Sequence, residues 1–207
     1  MISAAHKTIF VHIPKTAGQS IERLFLDDLG LSWDARSALL LRPNPDPACG
    51  PERLAHLYAE EYVSLGYVSP EDYAASYKFA IVRDPFARCV SEYNYRYLKK
   101  RVSFDDFLNK SFKSSHSDAA RHMDLQATYV LDKAGRLLVD DVFHFEALDT
   151  AVATLTRRVF GAPRVLPRQN ITGAAGGMKV ADLRPDQKEA IYRRYRPDFE
   201  RFGYAYG

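Results

Sequence analysis

Short apolar runs alternate with stretches of helical periodicity along the chain. Thr8 to Ile13 is an apolar, β-branched run that stops at Pro14 and predicts a strand. After a short turn, Ile21, Leu24, Phe25 and Leu29 recur at helical spacing and predict a helix with one buried face. Residues 31–55 carry Pro43, Pro45, Pro47 and Pro51 and predict a long surface loop with at most a helical turn. Loops of that length in compact domains often carry function. A helix is expected from Arg53 to Leu65, stopped by Gly66. Ser69-Pro70-Glu71-Asp72 then opens another, with Ser69 as N-cap and Pro70 at the first helical position.

Lys78 to Val82 reads as a strand buried on both faces, as a parallel sheet requires. Asp84-Pro85 starts a helix running through Tyr97, and residues 103–127 read as helical. Tyr129 to Leu131 and Leu137 to Val139 flank Asp132-Lys133-Ala134-Gly135 and predict a hairpin. Val142 to Phe145 is a further strand and Ala147 to Phe160 a helix. Arg168 to Lys179 is a glycine-rich loop, and a last helix spans Pro185 to Phe202. Strands alternating with helices, without internal repeats, predict one α/β domain over residues 1–207 with a mainly parallel central sheet.

Composition narrows this picture a little. With 46% hydrophobic and 27% charged residues the chain is ordinary for a globular domain. A formal charge of +3 favours an anionic ligand slightly but falls far short of a nucleic-acid-binding stripe. No segment approaches the roughly 20 apolar residues of a membrane span, and the first residues lack a secretory apolar core. The two cysteines, Cys49 and Cys89, make neither a disulfide framework nor a metal-ligand cluster. The expectation is a soluble, cytoplasmic protein.

The chemistry concentrates in two segments. In Pro14-Lys15-Thr16-Ala17-Gly18-Gln19-Ser20 a strand ends in a turn that leads into a helix. Such a turn aims backbone N–H groups, a helix N-terminus and an ammonium at one point, which suits a phosphate-like anion. It is not a nucleoside-triphosphate loop, because Lys15 precedes Gly18 and residue 13 is not glycine. In the second segment Arg83 closes the Lys78 to Val82 strand, at the edge where open α/β sheets bind ligands, and Ser91 follows eight residues later. Arg83 can fork onto a further anionic group and Ser91 can add a hydroxyl.

Together the two segments resemble the sulfotransferases that use 3′-phosphoadenosine 5′-phosphosulfate (PAPS), in the branch that includes the Golgi carbohydrate sulfotransferases. The resemblance implies a P-loop-like three-layer fold in which Pro14, Lys15, Thr16 and Ser20 hold the 5′-phosphosulfate and Arg83 and Ser91 the 3′-phosphate. Gln19 stands where that family commonly has Thr or Ser. Looser likenesses continue through His56-Leu57, Gln126, Val142 to Leu148, Leu166 to Asn170 and Asp198 to Tyr204. Lys15 is then expected to neutralise the leaving phosphate, helped by the N–H groups of Thr16 to Ser20. The product is PAP, the acceptor is a small-molecule or saccharide hydroxyl, and no metal is called for. Lys179, Arg168 and Asn170 are further candidates for the nucleotide.

An imidazole suits the role of general base near neutral pH. His56 matches the family position and is the candidate, with Glu52 and Glu60 in reserve. His12 is expected to be buried and structural, His144 to face away, and His6, His116 and His122 to lie in surface segments. Arg88 is expected to pair with Asp84 within its helix. Tyr93, Tyr95 and Tyr97 either pack inward or, with the neighbouring Arg and Lys residues, offer an acceptor platform. The rival readings are a small-molecule kinase using ATP and magnesium, and a nucleotide-binding protein without catalysis.

Overall fold

A computed structural model describes residues 1–110, 116–166 and 176–206. Four strands form one sheet in the order of the chain: β1 (Ile2–Ser3), β2 (Thr8–Val11), β3 (Tyr77–Val82) and β4 (Asp141–His144). β1 is antiparallel to β2, while β2, β3 and β4 run parallel, with Phe10 opposite Phe79 and Ile81 opposite Phe143. This is the expected α/β architecture.

The strand sequences look uniformly apolar because both faces are covered. Phe10, Phe79 and Ile81 point to one side, where they meet α1 (Gly18–Asp28) and, later in the chain, Val152 and Leu155. Ile9, Val11, Ala80 and Val82 point to the other and pack on Leu54, Leu57, Tyr62 and Tyr129. Burying side chains of this size stabilises by roughly 1.5–3 kcal/mol each, so both covering layers contribute to holding the sheet in place.

The second layer departs from the helix expected over Arg53 to Leu65. A 3-10 turn at Leu54–His56 and the short α2 (Glu61–Ser64) are separated by Leu57 in extended conformation. The break lets Leu54, Leu57 and Ala59 all reach the sheet, and the Ala59 N–H donates to the Tyr129 carbonyl instead of continuing a helix. Next, α3 (Pro70–Ala75) has the expected cap, with Ser69 Oγ accepting from Asp72 N at 3.0 Å. The helix α4 (Pro85–Arg96) is capped by Asp84, whose carboxylate accepts from Ala87 N at 2.7 Å.

Residues 103–127 hold shorter pieces than one helix: α5 (Phe104–Leu108), α6 (Asp118–Met123) and the start of α7 (Gln126–Val130). The expected hairpin is half correct. Its turn is present, with Asp132 Oδ1 accepting from Ala134 and Arg136 N–H and Leu131 bridging Leu137. Its first arm is instead the end of α7, whose Tyr129 and Val130 bury against the sheet as helix residues. α8 (Leu148–Phe160) follows β4, and α9 (Pro185–Phe202) closes the fold against α4. Pro197 kinks α9 at Tyr195, because its ring crowds the preceding turn and it has no N–H to donate. No helix among the described residues is long and apolar enough to cross a membrane.

Candidate active site

Where β2 ends, the chain reverses into α1 through two left-handed residues that are not glycine, Lys15 (φ 70°) and Ala17 (φ 69°). Such a conformation costs roughly 1–2 kcal/mol per residue and persists only where the surroundings fix it. Two bonds do so. Thr16 Oγ1 donates to the Ile13 carbonyl at 2.8 Å, and Arg88 Nε donates to the Pro14 carbonyl at 3.2 Å. The Ala17 N-cap makes no side-chain hydrogen bond to α1, whose positive dipole end is set at the cavity. Lys15 Nζ lies 3.9 Å above the Tyr95 ring. Burial pushes the Lys15 ammonium down to about 8, with the Glu92 carboxylate opposing that shift.

At the end of β3, Gln126 grips the main chain of Arg83. Its Oε1 accepts from Arg83 N at 2.9 Å and its Nε2 donates to Arg83 O at 2.8 Å. The guanidinium is thereby aimed across the sheet edge, with Nη1 donating to the Lys15 carbonyl at 3.2 Å and Cζ 4.2 Å above the Phe145 ring. Arg83 Nε is buried and is the one such side-chain atom among the described residues with no hydrogen-bond partner. An unsatisfied guanidinium N–H of this kind calls for an external acceptor. Ser91 lines the same cavity two turns along α4. One turn further, the Asn94 amide pairs with both the N–H (3.0 Å) and the carbonyl (2.8 Å) of Met178, setting Lys179 at the rim.

The third wall is a row of imidazoles, each backed by a carboxylate. Nδ1 of His12 lies 2.6 Å from Glu22, that of His56 2.7 Å from Asp118 and that of His122 2.6 Å from Glu92. The rings meet edge to face, His12 on His56 at 4.8 Å and His56 on His122 at 4.9 Å. Burial takes His56 well below the usual histidine range, although the Asp118 hydrogen bond works against it. Burial alone would raise Asp118. The bond from His56 and the neighbouring His122 and Arg96 outweigh that and hold it far below the usual carboxylate range. His56 is therefore neutral near pH 7, with its proton on Nδ1 and a lone pair on Nε2.

These walls enclose one cavity of about 1480 Å³. Pro14, Lys15, Ala17, Gly18, Gln19 and Ser20 line it, as do Arg83, Ser91, Lys179 and His56. Thr16 is the exception in its loop: it is buried with its hydroxyl turned onto Ile13 and does not line the cavity. Asn170 and Arg168 lie outside the described residues. A model described as the sulfotransferase family matches residues 1–205. The chain belongs to the sulfotransferase family. No curated protein matches it.

Sulfotransferases of this family take the sulfuryl group from PAPS. The uncapped α1 and Lys15 suit one anionic group, and the orphan N–H of Arg83 suits another. Several expectations need correction. Arg88 does not pair with the Asp84 side chain; it is buried and donates to the Pro14, Asp124 and His122 carbonyls, tying the anion loop to the α6–α7 corner. His122 is buried in the site, not on the surface, because α6 turns it inward one turn after Asp118. His12 is buried as expected, but it also lines the cavity. Glu52 and Glu60 do not line it, and Glu52 instead accepts from Asp118 N at 2.9 Å.

Tyr93 and Tyr97 pack inward on Phe107, while Tyr95 is 48% exposed at the cavity lip. The cluster the sequence did not show is His56, Asp118 and His122, whose ligand-type atoms lie within 4.8 Å of one another. Asp118 already accepts from His56 and from Arg96 at 3.0 Å, so the three are joined by a hydrogen-bond network. The i, i+4 spacing of Asp118 and His122 was the available signal, hidden by the absence of any apolar pattern around it.

Proposed function

We propose that the chain transfers the sulfuryl group of PAPS to a hydroxyl of a saccharide acceptor, with Lys15 stabilising the leaving phosphate and His56 as the general base. The observation that carries this reading is the shared cavity. One wall presents an ammonium and an uncapped helix N-terminus, another a neutral imidazole with Nδ1 already committed.

PAPS supplies an activated sulfur whose bond to the 5′-phosphate breaks as the bond to the acceptor oxygen forms. The protein's part is positioning and charge stabilisation. His56 Nε2 takes the acceptor proton, and the resulting imidazolium is held by Asp118. Lys15 and the first turn of α1 balance the charge that collects on the phosphate. Arg83 and Ser91 hold the 3′-phosphate, and Lys179 closes over the nucleotide from the rim. Tyr95 is half-exposed at the lip, and the part of its ring that Lys15 and His122 leave uncovered is where a sugar can lie, which supports a saccharide acceptor.

The test is a thermal-shift comparison of PAP, PAPS, ATP and ATP with magnesium. Stabilisation by PAP and PAPS is expected, and stabilisation by ATP with magnesium alone would favour the kinase reading instead. His56→Ala is expected to lower turnover at least ~100-fold while PAP still binds. Near-normal turnover would remove His56 from the role of base.

A further inference from the structure

Gly18 is the first residue of α1, and its backbone does not require a glycine, because its φ is not positive. The reason for glycine is His12. A Cβ at residue 18 would sit 1.8 Å from His12 Nε2 and 2.1 Å from Cδ2, inside the ring. The imidazole is thus pressed against the first turn of the helix that forms the anion site. It is fixed from behind by Glu22 on Nδ1 at 2.6 Å, stacked on Phe10 at 5.5 Å and touched at its edge by His56 at 4.8 Å. His12 therefore stands between the anion loop and the base, and its remaining nitrogen is on the helix N-terminal side.

In sulfuryl transfer the group that moves lies between those two points, because the phosphate it leaves is on the loop and the hydroxyl it joins is on the base. We propose that His12 is a catalytic residue that donates a hydrogen bond from Nε2 to the peripheral oxygens of the moving sulfuryl group. This rests on the sulfotransferase reading. The titratable groups facing the ring are Glu22 on α1, the neighbouring His56 and, through Glu22, the amino group of Met1. In the transfer the S–O bond to the phosphate breaks, the S–O bond to the acceptor forms, and the acceptor proton goes to His56.

The role makes a distinction that a packing role does not. His12 touches the sulfuryl oxygens, which PAPS has and PAP lacks. In His12→Gln, PAP affinity is expected to stay within about 3-fold of the parent. Any preference of the parent for PAPS over PAP should be lost, and kcat should fall roughly 100-fold. Glu22→Gln, which keeps a hydrogen-bonding group behind the ring but removes the charge, is expected to move both quantities in the same direction. Gly18→Ala, which pushes the ring aside while leaving it present, should lower kcat as well. If His12→Gln does not fold, Glu22→Gln decides by the same two measurements. An unchanged PAPS preference together with a kcat within 3-fold of the parent would overturn the proposal. A parent chain that binds neither nucleotide would overturn the transferase reading itself. One that binds both, with indifferent variants, would overturn the role of His12 alone.

Discussion

The bond from His56 Nδ1 to Asp118 decides which nitrogen of that ring can act as a base. Replacing the carboxylate by an amide allows the other tautomer, with the proton on the working nitrogen. Asp118→Asn is therefore expected to lower kcat about 100-fold or more with PAP affinity little changed, as read by steady-state kinetics and calorimetry. The pH profile follows from the direction of the His56 shift. Because its folded pKa lies below the ordinary 6.5, the base form persists through neutral pH, and the acid limb of kcat/KM should appear only below pH 6.5. Lys15 sets the opposite limb. Its ammonium titrates at about 8, and the charged form is the one that holds an anion, so PAP affinity should be level near pH 7 and fall as pH rises through 8. Lys15→Arg, whose guanidinium stays charged, should abolish that fall in a binding titration.

Among the elements, α7 shows how the site is braced from a distance. No residue beside it caps this helix. Instead the Asp198 carboxylate on α9 accepts from Gln126 N and Ala127 N, both at 2.9 Å, and Gln126 in turn holds the Arg83 main chain. Asp198→Ala would leave two buried N–H groups without partners, at about 1–3 kcal/mol each. In a thermal melt that corresponds to a Tm lower by roughly 5–15 °C for a chain of this size, and PAP affinity should fall with it. This brace was not legible in the sequence, since its two ends are 72 positions apart and a lone Asp in a helix has no signature. What was legible had local causes. Thr8 to Val11, Tyr77 to Val82 and the Ser69 and Asp84 caps follow from side-chain type and spacing alone. So did the loop at Lys15 and the placing of Arg83, because a strand end is where such residues are useful. The break at Leu57, the helical state of Tyr129 and the inward turn of His122 depend on what each residue packs against, and single-chain patterns carry no such information.

For the molecule as a whole, charge is unevenly placed. The chain carries a formal +3, yet Lys15, Arg36, Arg42, Arg53, Arg83 and Lys179 line one cavity in which Glu22 and Asp149 are the acids. A concave cationic surface raises the encounter rate of anions and is screened by salt. The apparent kcat/KM for PAPS should therefore fall several-fold between about 20 and 200 mM salt while kcat changes little. A rate constant insensitive to salt would count against the cavity as the nucleotide's route in. The Asp198 brace has a last consequence, for biosynthesis. A chain growing from its N-terminus completes the Lys15 loop, β3 and Arg83 well before it reaches Asp198, the carboxylate that fixes Gln126. A ribosome-bound chain lacking residue 198 can form the sheet and yet hold Arg83 loosely, so donor binding marks the moment at which α9 has emerged and docked.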